Sequence, residues 1–251
     1  MTAASRGLGK ASALALAGEG ARLAVAGRDM AVLGELVEEL KAAGAEEALA
    51  VHMDLADRET LKPAAEKAAA ELGGIDIFVG NCGGPPSGPF LSISRETWEE
   101  AISSIFLSMV DLSHAVIPHM RTGRWGRIVF VTTVGVKIVQ PNMVLSDSIR
   151  LATVGLAKSL SHEFAGEGIV VNCLCPGPFA TDRMEDLITA SMARDGLDRA
   201  AAEALWLDEV PVGRFGDPAD FGAMVALLSS ERAGFVTGTA IALDGGKSRA
   251  Y

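Results

Sequence analysis

Six short apolar runs recur along the chain, each separated from the next by a longer amphipathic stretch, and this alternation constrains the fold more tightly than any single motif. Residues 22–27, 47–53, 75–80, 127–133, 169–175 and 239–243 are strand-sized, almost continuously apolar, and bounded by Gly, Asp or Pro. Such runs suit strands buried on both faces of a parallel sheet. Helical patterning fills the intervals at 30–43, 58–72, 95–120, 146–165 and 218–229. The last of these has a clear start, with Asp217 at the N-cap and Pro218 at the first helical position. Strand-helix alternation of this kind predicts a doubly wound parallel sheet with right-handed crossovers and a ligand at the carboxyl ends of the strands. The length of 251 residues and the hydrophobic content of 49% fit one domain, residues 1–251, with a full core.

Two segments depart from the rhythm. Residues 182–209 add helix rich in Ala, Met and charge, with Met184, Leu187, Ile188, Met192, Leu205 and Trp206 offering an apolar face, and an insertion there reads as a lid over a pocket. The second is the opening turn, Thr2-Ala3-Ala4-Ser5-Arg6-Gly7-Leu8-Gly9, which runs straight into a helix. Glycines at 7 and 9 let the backbone turn tightly and let a pyrophosphate approach amides at a helix start, where the dipole favours negative charge. The same spacing also serves as a close-packed turn with no ligand. A turn of this type normally follows a buried strand, and only Met1 stands before it. We therefore expect a truncated first strand, with the natural chain extending upstream.

Charge narrows the partners. A net charge of -10 without a basic run argues against nucleic acid. No uninterrupted apolar run reaches the roughly 18 residues of a membrane span, and no signal peptide is visible. Three cysteines, two of them at 173 and 175, form neither a disulfide framework nor a metal set. The expectation is a cytoplasmic protein without a metal.

Four elements in order then resemble the short-chain dehydrogenase/reductase family, over essentially the whole chain. The opening turn resembles the family's glycine loop, with Ala3 in place of its first Gly. Asn81-Cys82-Gly83 resembles an Asn-Ala-Gly element, Pro176-Gly177 with Thr181 resembles the turn that holds the nicotinamide carboxamide, and Asp244-Gly245-Gly246 resembles the family's C-terminal ending. The resemblance implies a Rossmann-type fold and a dinucleotide held by Ser5, Arg6, Gly7, Leu8 and Gly9, by Asp54 and Leu55 at the adenine, and by Asn81, Gly83, Arg150, Pro176, Gly177 and Thr181. At the end of the first run, Arg28 stands where an acidic residue would bind a ribose 2′-hydroxyl. Together with Arg6 it favours NADP(H) over NAD(H), since arginine suits a 2′-phosphate.

The resemblance fails at the reaction centre. The family's Tyr-x-x-x-Lys pair falls on Ser146 and Arg150, its Ser on Thr133, and its Asn on Ile105; the chain's sole tyrosine is Tyr251. A subset of the family similar to 3-oxoacyl reductases, with a Gly-Gly-Pro-x-x-Gly loop and a Ser-x-x-x-Arg helix start, fits residues 83–88 and 146–150 better. Thr133, Ser146 and Arg150 are therefore the expected catalytic groups of an oxidoreductase acting on a carbonyl or alcohol. Asp147 and Lys137 read as surface charges. Ile105 motivates the alternative, a catalytically silent nucleotide-binding or scaffold protein. Helices at 95–120 and 146–165, apolar on more than one face, together with the resemblance, imply a homotetramer.

Overall fold

The computed structural model describes residues 1–249; Ala250 and Tyr251 lie outside the described residues. All six expected strands form, as β1 (Arg22–Gly27), β2 (Glu47–His52), β3 (Ile77–Gly80), β4 (Gly126–Val131), β5 (Ile169–Pro176) and β6 (Ala240–Leu243). They pair in parallel, β1 with β2 and, separately, in the order β3-β4-β5-β6. Every β4 residue is buried and so is β5 up to Cys175, which is why these two central strands read as unbroken apolar runs and not as alternating ones.

Met1 and Thr2 join the two sheets. Thr2 pairs in parallel with Ala26 and donates its amide to Val79 O at 3.1 Å, while the Ala26 amide donates to Met1 O at 2.8 Å. These two residues thus make a stub of strand between β1 and β3. A cavity of about 400 Å³ lies alongside, lined by Met1, Leu23, Val51, Phe78, Val79 and Leu112 among others. From the stub the chain runs to β1 and β2 on one side, then crosses to β3 on the other. That reversal opens a crevice at the carboxyl ends of the strands.

Helices cover both faces. On one, α1 (Gly7–Gly18), α2 (Met30–Ala42) and α9 (Pro218–Ser229) contribute Leu16, Leu33, Leu40, Phe221 and Val225 to the core. On the other, α3 (Leu61–Leu72), α5 (Ser108–Gly123) and α6 (Val144–Phe164) contribute Leu61, Met109, Leu112, Met120 and Ala157. The expected 182–209 insertion is two helices, α7 (Asp182–Asp195) and α8 (Arg199–Leu207), with a small core of Met184, Leu187, Ile188 and Ala202. Leu205 departs from the expected apolar face, being 54% exposed.

The helix expected at 95–120 has three parts: α4 (Arg95–Ala101), a π-helical segment at Ile102–Leu107, and α5. At 29 residues, with an 18-residue stretch of mean hydropathy 1.5, it is long and apolar enough to cross a membrane, although no uninterrupted apolar run marks it in the sequence. Here its apolar positions serve a core instead, since Met109, Leu112, Val116, Ile117 and Met120 pack on the sheet. The expectation that this helix is apolar on a second, outward face is met only at Ile102; Ile105, Met109, Leu112 and Val116 are all buried within the chain.

Candidate active site

The glycine loop is held before any ligand arrives. Thr2 Oγ1 donates to Asn81 O at 2.6 Å and accepts from the Asn81 amide at 2.9 Å, and Asn81 Nδ2 donates to Ala3 O at 3.1 Å. Asn81 therefore positions the loop from the end of β3. Gly7 opens α1 at φ 54, a left-handed conformation that a Cβ would strain, and the Arg6 N-cap gives the helix no side-chain hydrogen bond. The first amides of α1 are left without side-chain partners and carry the positive end of the helix dipole. Gly9 is fixed by a close approach: a Cβ there would enter the Ala3 carbonyl and lie 2.9 Å from Asn81 Nδ2.

The loop forms one end of a cleft of about 730 Å³. Ser5, Arg6, Gly7 and Leu8 line this end, with Arg28, Asp54 and Leu55 beside them and Asn81, Gly83, Pro176, Gly177 and Thr181 further along. Gly9 lies beneath the loop and does not line the cleft. Arg6 is exposed and 3.9 Å from Asp182, while Arg28 has no ion pair among the described residues. The nearest carboxylate to Arg28 in sequence, Asp29, caps α2 and accepts from the amides of Ala31 and Val32 at 3.0 and 3.2 Å. Asp54 accepts from the Ala56 amide at 3.0 Å, a turn-capping bond like that of Asp29. An uncapped helix start flanked by two available guanidinium groups is a donor set that fits a dinucleotide diphosphate with a further phosphate.

At the other end of the cleft stand Thr133, Ser146 and Arg150. Thr133, at the end of the β4 run, accepts at Oγ1 from the Gly135 amide at 3.2 Å and from Gln140 Nε2 at 3.3 Å. With both acceptor positions used, its own O–H is left to donate, and Thr133 lines the cleft. Gln140 was not singled out in the sequence, because nothing in a loop glutamine marks it. Its amide N–H in turn donates to Asp147 Oδ2 at 3.4 Å.

Asp147 is not the surface charge the sequence suggested. It is half-buried, Oδ1 has no hydrogen-bond partner, and burial pushes its carboxyl up to about 6 against the weaker opposing pull of Gln140 and Arg150.

Arg150 is buried, and its guanidinium is turned toward the backbone: Nη1 donates to Val131 O at 2.8 Å and Nη2 to Gly83 O at 3.2 Å. It thereby ties the ends of β3 and β4 together and sets a fixed positive charge under the cleft. Ser146 is buried on the same helix, four residues earlier, so the two share a face. Ile105, in the π-helical segment, packs with Leu145 and Ile149 and also reaches the cleft wall. Among the described residues no cluster of three His, Cys, Asp or Glu is placed to hold a metal.

Comparison with known proteins agrees with this architecture. Residues 2–248 match the family model described as enoyl-(acyl carrier protein) reductase. The chain is 30% identical over 250 residues to an acetoacetyl-CoA reductase of Shinella zoogloeoides, covering 98% of this chain and 96% of that one. It is 29% identical to the 3-oxoacyl-[acyl-carrier-protein] reductase FabG of Staphylococcus epidermidis, with the same coverage. Among solved structures, YwfH, an NADPH-dependent reductase involved in bacilysin biosynthesis, superposes with a TM-score of 0.93 at 26% identity, over 100% of this chain and 98% of that one. The L-sorbose reductase of Gluconobacter frateurii, solved with NADPH and L-sorbose, also gives 0.93 at 26% identity, over 100% and 96% of the two chains. With the family model matched over nearly its whole length and its fold shared with these reductases, the chain belongs to the short-chain dehydrogenase/reductase family.

Proposed function

We propose that this chain is an NADP(H)-dependent oxidoreductase that transfers a hydride between nicotinamide and a carbonyl or alcohol carbon. The observation that carries the reading is the cleft itself, with an uncapped helix start, with Arg28 and the loosely paired Arg6 among the residues lining it, and with Thr133, whose hydroxyl has its acceptor positions filled. The relatives named as NADPH-dependent or NADPH-bound support the choice of cofactor. Bound there, NADP(H) supplies or accepts the hydride. The amides at Gly7 and Leu8 hold its diphosphate with Ser5, Arg6 and Arg28 take the 2′-phosphate, and Asp54 and Leu55 border the adenine. Asn81, Gly83, Pro176, Gly177 and Thr181 wall the nicotinamide end.

Thr133 donates to the substrate oxygen, and Ser146 shares in orienting it. Arg150 acts through its fixed charge, which favours negative charge developing on that oxygen. Helices α7 and α8 form the lid, bringing Met184, Leu187 and Trp206 to the cleft. The exposed apolar residues Ile102, in the π-helical segment of the 95–120 stretch, and Leu151, on α6, support assembly of a homotetramer through these two stretches. Two buried free thiols support a reducing compartment, the cytoplasm. Ile105 at the cleft wall favours one second reading, a protein that binds the nucleotide without turning it over.

The test is NADPH oxidation against a panel of ketones and aldehydes, run beside calorimetric titration of NADPH. Turnover that falls in Thr133→Val supports the redox reading. Tight NADPH binding with no oxidation across the panel overturns it in favour of the silent one.

A further inference from the structure

Arg183, in the first turn of α7, is the one guanidinium that reaches the cleft from the lid side and turns away from the glycine loop. Its neighbours in sequence face the loop: Thr181 packs 3.6 Å from where a Gly7 Cβ would stand, and Asp182 pairs loosely with Arg6 at 3.9 Å. Arg183 instead donates Nη2 to Pro85 O at 2.8 Å. Its head lies flat on Gly84, where a Cβ would sit 2.7 Å from Nε and 2.9 Å from Cζ, so the absent side chain at 84 is what makes the seat. The adjacent residue, Gly83, gives its carbonyl to Arg150. Two guanidinium groups thus converge on one turn, in the cleft that Thr133 and Ser146 also line.

No carboxylate of the described chain makes an ion pair with either group. Asp186, one turn along α7, is exposed and acts on Arg183 only at longer range, while burial and the Arg150 charge both pull the Arg183 pKa down. In a chain of net charge -10, two partly desolvated cations lie near each other with no carboxylate in direct contact, Asp147 and Asp186 acting on them only from a distance, and this leaves room for an anion between them.

We propose that the substrate of this enzyme is an oxo acid or hydroxy acid, whose carboxylate is taken by Arg183 beside the charge of Arg150 while its carbonyl or hydroxyl oxygen meets Thr133. The proposal rests on the redox reading above and names its substrate class. Arg183 sets specificity: one arm of its guanidinium stays on Pro85 and the remaining donors face the ligand. Arg150 contributes charge from below.

The experiment titrates protein loaded with NADP+ with 2-, 3- and 4-oxo acids of short chain length, each beside its methyl ester, by calorimetry. At least one acid should bind on the order of tenfold or more tighter than its ester, as expected for a charge-assisted contact. Arg183→Gln should abolish that difference and leave ester binding and the NADPH Kd unchanged, Arg183→Lys should keep part of it, and Gly84→Ala should reproduce the loss by evicting the guanidinium from its seat. The proposal is overturned when no acid outbinds its ester, or when Arg183→Gln weakens acid and ester alike. It is also overturned when Arg183→Gln raises the NADPH Kd tenfold, which would assign the group to the cofactor's diphosphate. Arg183-dependent acid binding without NADPH oxidation would uphold the anion site and defeat the redox reading, so the two fail separately.

Discussion

Gly9→Ala puts the architecture of the nucleotide end under direct stress. The new methyl would enter the Ala3 carbonyl oxygen and stand 2.9 Å from Asn81 Nδ2 and 3.0 Å from the Ala3 carbonyl carbon. Ordinary carbon contacts lie at about 3.5–4.0 Å, so the loop must retreat by roughly 1 Å. Neither neighbour is the free end of a flexible chain: Ala3 is backbone, and Asn81 is held by Thr2. Overpacking at so rigid a contact costs about 1–3 kcal/mol. In a chain of this size each of those lowers Tm by roughly 2–4 °C. The same retreat carries the α1 amides off their aim, and losing one charge-assisted bond of about 1.5–3 kcal/mol raises the NADPH Kd about tenfold to hundredfold. Gly34→Ala, on α2 with nothing within 4 Å of the new methyl, is the control, and helix propensity makes it neutral or stabilising by up to about 1 kcal/mol. Scanning calorimetry and NADPH titration of both variants provide the assay. Wild-type Tm and Kd in Gly9→Ala would refute the claim that the loop is locked from behind by Ala3 and Asn81.

Three further outcomes are expected. Thr133→Val keeps the shape but loses the hydroxyl, so kcat should fall on the order of 10²–10³-fold with the NADPH Kd unchanged, whereas equal turnover would remove Thr133 from the reaction. Replacing both Arg6 and Arg28 by Gln should cost on the order of tenfold or more in NADPH affinity and leave NADH affinity alone, measured by parallel titrations; equal losses for the two cofactors would contradict a 2′-phosphate site. Asp147, with its carboxyl raised to about 6 by burial, holds its proton more tightly folded than unfolded, so its contribution to stability is lost as pH rises from about 4 to 6. Asp147→Asn should therefore match the wild type in Tm at pH 4 and exceed it at pH 8. The gain should be on the order of 1–2 kcal/mol after allowance for solvent screening, and a variant less stable at pH 8 would show that the carboxylate is held by favourable partners.

The strands were legible because burial on both faces leaves an unbroken apolar signature that no other element here imitates, and β1 begins and ends where the run does. The π-helical segment at Ile102–Leu107 was not, since Ile-Ser-Ser-Ile-Phe-Leu contains no helix breaker to announce it. At the site, the spacing of Gly7 and Gly9 marked a tight turn before a helix but left its purpose open, and Asn81 entered only through the family resemblance. Thr133's orientation was not, because it depends on Gln140, a loop residue seven positions along whose direction only the fold decides. Asp147 looked solvated beside Ser146 in sequence, but it packs against Gly135, and the 133–140 turn buries it. Arg150 was expected among the groups that hold the dinucleotide; that its Nη1 and Nη2 donate to the carbonyls of Val131 and Gly83 was not readable from the sequence. Arg183 lay in the 182–209 stretch with nothing in the sequence to single it out, and only the bare Gly84 opposite it seats its charge.

We propose that hydride transfer takes place in this cleft with Thr133, Ser146 and Arg150 around the substrate oxygen. The decisive measurement is single-turnover mixing of the protein with 4-deuterated NADPH of each C4 configuration and the oxo-acid panel, with product analysed by mass spectrometry. Deuterium should appear at the former carbonyl carbon from one of the two cofactor epimers, at a rate that collapses in Thr133→Val. Deuterium retained on the cofactor with every substrate, while NADPH binds tightly, would contradict it.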